Sequence, residues 1–110
     1  MQKGLVEIVE TSVFTKQVKA SLSDEEYRAL QLELAREPTA GKVIPGSGGL
    51  RILRWAADGR GKSGGYRIIY YYAARPELLL LLYVYAKNDA DDLTPDQIRI
   101  LRKIVMEEYK

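Results

Sequence analysis

Apolar and polar positions change period several times along this chain of 110 residues, and each change marks an element. Leu5-Val6-Glu7-Ile8-Val9-Glu10 alternates imperfectly and is rich in β-branched residues, so it reads as a first strand. Phe14, Val18 and Leu22 then recur every four residues, which predicts a short helix capped by Thr11 or Ser12. Ser23-Asp24-Glu25-Glu26 is a capping-box pattern, in which the serine hydroxyl accepts from the Glu26 amide and the glutamate reaches back. The helix it opens carries Tyr27, Leu30 and Leu34 on one side and must stop before Pro38, which disfavours helix at Glu37. The two helices pattern as an antiparallel pair with a shared apolar side.

From Pro38 to Gly49 the chain is turn-rich and reads as a loop, with the apolar pair Val43-Ile44 packing on the core. Leu50–Trp55 is a short strand, Ala57–Gly65 a flexible turn, and residues 66–74 a strand of β-branched and aromatic residues. Arg75-Pro76-Glu77 is a tight turn, since proline fixes φ. Leu78–Ala86 is apolar throughout, as a central strand covered on both faces is. Short turns imply an antiparallel meander of strands 50–55, 66–74 and 78–86. Thr94-Pro95-Asp96-Gln97 is a second cap, and Ile98, Leu101 and Val105 follow along one face of a C-terminal helix. The order β-α-α-β-β-β-α predicts one α+β domain over residues 1–110, with helices packed on a mostly antiparallel sheet.

Composition removes whole classes of chemistry. The chain has no cysteine and no histidine, so it has neither a disulfide framework nor a thiolate metal site, nor the usual general base. No basic head precedes an apolar run at the N-terminus, and the run 78–86 is too short to span a bilayer as a helix. A cytoplasmic protein without membrane association is the expectation. Asp89, Asp91 and Asp92 read as a polar turn ahead of the Thr94 cap, and no metal or other cofactor is expected.

The net charge of +2 hides an asymmetry. Residues 42–75 hold seven basic side chains against one acidic, while the segments on either side are each slightly acidic. Such a local excess is the footprint of a polyanion binder. It centres on Gly46–Arg67, where two glycine clusters bracket Arg51, Arg54, Arg60, Lys62 and Arg67, opposed only by Asp58. This stretch reads as an anion loop and one wall of a phosphate groove. Gly61-Lys62-Ser63 looks like the end of a P-loop, but position 56 is alanine and a strand follows, so nucleotide hydrolysis is rejected.

Strand parity sorts the cations. Arg67 shares a face with Ile69 and Tyr71, and Arg54 with Leu50 and Ile52, while Arg51 falls opposite, with Leu53 and Trp55. In a three-stranded meander the start of the second strand lies beside the end of the third. Arg54, Lys62, Arg67 and Lys87 are therefore expected to converge at one edge.

The runs Gly49-Leu-Arg-Ile-Leu-Arg-Trp55, Gly59-Arg-Gly-Lys-Ser-Gly-Gly-Tyr-Arg-Ile-Ile-Tyr-Tyr71, Tyr83-Val-Tyr-Ala-Lys-Asn88 and Asp92-Leu-Thr94 together resemble the RelE/ParE superfamily of type II toxins, and most of all its HigB-like branch of RelE toxins. The resemblance covers nearly the whole chain. It implies a RelE-like fold, messenger-RNA cleavage that is in many cases ribosome-dependent, and silencing by a cognate antitoxin, commonly one with a helix-turn-helix DNA-binding domain. RNA can be cut without metal when its own 2′-OH attacks the adjacent phosphate. The protein must then place the phosphate, neutralise the transition state and move protons. Arg54 and Arg67 suit the first two tasks, because the guanidinium fork matches phosphate oxygens. Lys62 and Lys87 suit proton transfer, since neighbouring positive charge lowers a lysine pKa, and which of them is acid and which base is left open. Arg51, Arg60, Trp55 and Tyr70 are candidate RNA contacts, with core packing the competing reading for Trp55 and Tyr70. Ile52 stands where related toxins often carry a lysine. Two further readings stay open, a ParE-like DNA gyrase inhibitor and a basic RNA-binding module without catalysis. For the antitoxin, Val43, Ile44 and the outer side of the first helices are expected to offer an apolar docking surface.

Overall fold

The leucine-rich segment is the spine of the molecule. The structure, a computed structural model, describes residues 6–55, 65–74, 77–86 and 93–108. Its elements run β1 (Glu7–Glu10), α1 (Ser12–Ser21), α2 (Asp24–Arg36), β2 (Lys42–Val43), β3 (Leu50–Trp55), β4 (Tyr66–Ala74), β5 (Glu77–Ala86) and α3 (Pro95–Glu108). They form one five-stranded sheet in the order β1-β5-β4-β3-β2. The expected α+β fold is therefore present, with two details added. A two-residue strand, β2, lies within the region read as a loop and pairs antiparallel with β3. The N-terminal β1 pairs parallel with β5, and the other pairs are antiparallel.

Helix starts follow the sequence signals closely. Thr11 caps α1 by accepting from the Phe14 amide, and its own hydroxyl donates to Leu82 O on β5 at 3.2 Å. Ser23 and Glu26 form the reciprocal capping box of α2, at 3.1 and 2.8 Å. Thr94 and Gln97 do the same for α3, at 2.8 and 3.1 Å. Each cap satisfies amides that the first turn leaves without a helical partner.

The two faces of the sheet carry two cores. On one, α1 and α2 bury Phe14, Val18, Leu30 and Leu34 against Ile68, Tyr70, Leu79, Leu81 and Val84. On the other, α3 buries Leu101 and Val105 against Leu50, Ile69, Leu80, Leu82 and Tyr85. β5 feeds both, which is why it reads as unbroken apolar sequence. Ile44 packs against the α3-side core, whereas its neighbour Val43 is exposed.

A register shift interrupts the β4–β5 ladder. Ile69 pairs with Tyr83, but Tyr70 pairs with Leu81, so Leu82 is the extra residue of a β-bulge. Strict alternation from Leu80 would have sent Val84 to the α3 face and Tyr83 and Tyr85 to the helix-pair face. The bulge reverses this. Val84 joins the helix-pair core, and Tyr83 and Tyr85 join the α3 side.

Candidate functional site

The β3–β4 ladder brings Arg54 and Arg67 directly opposite each other. Facing Cα atoms in an antiparallel pair lie about 4.5–5.5 Å apart. Both arginines belong to the face that carries Leu50, Ile52 and Ile69, as strand parity requires. Arg54 is exposed, but Arg67 is 8% exposed, and it is the buried cation among the described residues. On its other side Arg67 faces Tyr85, which the Leu82 bulge has turned onto this face.

The electrostatics of this pair are unfavourable as they stand. Like charges directly opposite on a sheet destabilise it, and a buried guanidinium needs a partner. Among the described residues no carboxylate pairs with either arginine, and the ion pairs there, Arg36–Glu33 and Arg99–Asp96, lie within helices on the surface. Two arginines facing each other in register, with no carboxylate partner among the described residues, suit an oxyanion such as phosphate, which accepts bidentate hydrogen bonds.

The remaining expected site residues sort into three groups. Arg60, Lys62 and Lys87 lie outside the described residues, as do most of the expected turns at 57–65 and 75–77 and the three aspartates Asp89, Asp91 and Asp92. Arg51 and Trp55 sit on the helix-pair side of the sheet, away from Arg54 and Arg67. Arg51 donates to the carbonyls of Thr39, at 3.3 Å, and Gly41, at 2.6 Å, so its guanidinium tethers the α2–β2 connection. Trp55 packs against the helix-pair core, and its indole Nε1–H is buried without an acceptor among the described residues.

Tyr70 follows the core-packing reading. It is fully buried, and its hydroxyl accepts from the Gly41 amide at 2.8 Å and donates to Pro38 O at 2.7 Å. Burial pushes the phenol above its usual range, opposed by the Gly41 hydrogen bond and by the charge of Arg51. A Cβ on Gly41 would come within 2.9 Å of the Tyr70 ring, so this position needs glycine. Tyr70 and Arg51 thus fasten one loop to the sheet, and neither faces the arginine pair.

The first glycine cluster also belongs elsewhere than expected. Gly46, Gly48 and Gly49 have positive φ and form the turn before β3, at the end where Leu50 faces Tyr71. Arg54 and Arg67 are four residues further along, roughly 13 Å at 3.3 Å per residue. The turn is pinned by buried Ser47, whose hydroxyl donates to Ile44 O at 2.6 Å and accepts from the Leu50 amide at 3.0 Å. Of the described residues in the Gly46–Arg67 stretch, Arg54 and Arg67 meet in the ladder, and the first glycine turn lies at the far end of β3 from them. Missed altogether from sequence were the bulge at Leu82 and with it the place of Tyr85. A leucine run carries no mark of where its register slips.

With this geometry in hand, relationship to known proteins can be weighed. A family model described as the RelE toxin of the RelE/RelB toxin-antitoxin system matches residues 6–109. The chain belongs to the RelE toxin family. The same fold is found in a double arginine-to-alanine mutant of E. coli toxin RelE in the free state. That structure superposes with a TM-score of 0.59 at 12% sequence identity, covering 80% of this chain and 90% of the other. At that identity the likeness speaks for the fold. The family fits a small α+β toxin whose sheet presents paired arginines. No helix among the described residues is long and apolar enough to cross a membrane.

Proposed function

We propose that this RelE-family toxin is a metal-independent messenger-RNA endoribonuclease of the HigB-like kind, acting in the cytoplasm on translating ribosomes. The observation that carries the reading is the Arg54–Arg67 pair, in register, on one face and without a carboxylate partner among the described residues. Seated on these two guanidinium groups, a phosphodiester would be held with its non-bridging oxygens neutralised, and the extra negative charge of a pentacoordinate phosphorane would bind them more strongly still. The RNA 2′-oxygen forms the new bond to phosphorus, the bond to the 5′-oxygen breaks, and a 2′,3′-cyclic phosphate and a 5′-hydroxyl result. A base removes the 2′-OH proton and an acid protonates the leaving 5′-oxygen. Lys62 and Lys87 are assigned to those two tasks, since the chain has no histidine. Ile52 faces Ile69 on the same side of the ladder as the arginines, so the position where related toxins often carry a lysine borders the pair with an apolar side chain.

A cognate antitoxin would silence the toxin, with an acidic segment over the arginine pair and a helix-turn-helix domain for DNA. Exposed Val43, at the free edge of β2, offers it an apolar contact. Induced expression followed by primer extension on cellular transcripts tests the reading. Cuts inside reading frames that vanish in Arg67→Ala or Lys87→Ala support it. Intact transcripts accompanied by gyrase-linked DNA damage would overturn it in favour of a ParE-like inhibitor.

A further inference from the structure

The last part of β5 has an edge that β1 does not cover. β1 pairs only with Leu78–Leu81, and the chain then leaves the sheet through Thr11 into α1. Beside the uncovered edge, between α1 and α3, lies a cleft of about 490 Å³. Its walls include Gln17 and Ser21 of α1, Tyr66 of β4, Tyr83 and Tyr85 of β5, and Gln97 at the start of α3. None of these six residues is a lysine, arginine, aspartate or glutamate, so the cleft is not built as a second phosphate site. It nevertheless adjoins the first. Tyr66 precedes Arg67 in the chain, and Tyr85 is the register partner of Arg67.

We propose that this cleft receives a nucleobase of the RNA and selects bases that present hydrogen-bond acceptors. The choice of ligand rests on the reading of Arg54 and Arg67 as the seat of an RNA phosphate. The choice of base rests on the two glutamines. Gln17 Oε1 accepts from the Val84 amide at 2.9 Å, and Gln97 Oε1 accepts from the Thr94 amide at 2.8 Å. Each carboxamide oxygen is therefore turned to the backbone, and that bond fixes the NH₂ half as the one that faces away. The Nε2 groups have no partner among the described residues, so the cleft holds two amide donors, one on each helix wall. A donor-lined site favours guanine through O6 and N7, or uracil through O2 and O4, and disfavours the exocyclic amino group of adenine, itself a donor. Tyrosine rings supply the stacking surface that single-stranded RNA recognition uses. Those of Tyr83 and Tyr85 lie 5.7 Å apart, tilted by 43°. Guanidinium for the phosphate and aromatic rings for the base face thus adjoin where β4 begins and β5 ends, with amides for the base edge beside them on α1 and α3.

The bonds to the backbone allow a test that spares the fold. Gln17→Glu and Gln97→Glu keep the accepting oxygen and replace the free donor by a negatively charged acceptor oxygen. Side-chain amide signals in ¹⁵N-resolved NMR of the full chain are followed during titration with the 5′-monophosphates of guanosine, uridine and adenosine and with ribose 5-phosphate, which has the phosphate and no base. Shifts of the Gln17 and Gln97 NH₂ signals with guanosine and uridine monophosphates, several-fold smaller with adenosine monophosphate and absent with ribose 5-phosphate, are the expected result. Equal shifts with ribose 5-phosphate, or none with any nucleotide, would overturn the proposal. Cleavage mapping separates it from the nuclease reading. The double Glu variant is expected to change the ratio of acceptor-rich bases to adenine beside the cut by about tenfold, as loss of one or two hydrogen bonds implies. An unchanged ratio with cutting intact would sink the base cleft alone. No cutting by the unsubstituted protein would sink the nuclease reading, and the nucleotide titration would still decide the cleft.

Discussion

The β3–β4 ribbon has two ends, and they are built on opposite terms. At the end where Leu50 faces Tyr71, the buried Ser47 hydroxyl and the Leu50 amide find each other, and tight glycine turns bring the loop in. Nearby, Tyr70 and Arg51 satisfy the carbonyls and the amide of the 38–41 loop. At the end where Arg54 faces Arg67, two like charges lie side by side, one of them buried, and no carboxylate among the described residues answers them. A fold gains nothing by itself from the second arrangement. In the proposed reading this end binds an anion, and the well-satisfied end holds it in place.

Breaking the charged end should remove activity and leave the fold. Arg67→Ala is expected to lower RNA cleavage by about 10²–10³-fold, the range found when one preorganised donor to a developing oxyanion is lost. Arg67→Lys keeps the charge but not the fork, and should recover only part of that loss. Rates of cutting on a defined transcript with ribosomes present measure both. Cleavage by Arg67→Ala at the unsubstituted rate would end the case for this pair.

Breaking the satisfied end should do the reverse. Tyr70→Phe leaves the Gly41 amide and the Pro38 carbonyl without their partner, which costs about 1–3 kcal/mol of stability. The urea midpoint should fall, with the cut pattern unchanged. A cutting defect larger than the folding defect would show that Tyr70 touches RNA after all.

The contrast between these ends was only partly legible in the sequence. Parity placed Arg54 and Arg67 on one face and Arg51 on the other, because side chains alternate along a strand whatever they pack against. Capping patterns located the helix starts for the same local reason. What depended on distant register was not visible. The glycine turn at 46–49 and Arg54 are neighbours in sequence, yet β3 carries them to opposite ends of its ladder with β4. The Leu82 bulge sits in a run of leucines that fits any register, and it alone decides that Tyr85 faces Arg67. Nor does a row of tyrosines say which one a loop will claim. Tyr70 offers a ring for RNA in the sequence, and it is the Pro38 carbonyl and the Gly41 amide that hold it.

The satisfied, helix-packed side also sets the alkaline limit of stability. Tyr27 donates to Glu10, which accepts a second bond from the Thr15 hydroxyl at 2.5 Å. Burial, then the hydrogen bond to Glu10 and its charge, hold the Tyr27 phenol far above the ordinary value of 10.0, and burial raises Tyr70 as well. Both groups keep their protons more tightly when folded. Their contribution is complete below about pH 10, where the unfolded phenols titrate, and is lost as the pH rises beyond it. Melting curves between pH 8 and 11 should therefore show a midpoint that is flat at first and falls near the top. Tyr27→Phe should flatten part of that fall. An identical alkaline fall in Tyr27→Phe and the unsubstituted protein would refute the assignment.

The smallest expected effect separates the two ends most cleanly. Arg54→Gln removes one of two facing charges while keeping a long polar side chain on an exposed position. Relief of like-charge repulsion across a strand pair is worth about 0.2–1 kcal/mol, so this variant should be slightly more stable than the unsubstituted chain and a poorer nuclease. Screening sharpens the comparison further. At about 1 M salt the Debye length shrinks to about 3 Å, and the gain in stability should largely disappear. The loss caused by Tyr70→Phe comes from hydrogen bonds in the buried interior and should persist in the same salt. Chemical denaturation of both variants with urea, at low and high sodium chloride, reads out the difference. A stability gain in Arg54→Gln that salt leaves untouched would mean that packing, and not repulsion between the two arginines, distinguishes this end of the ribbon.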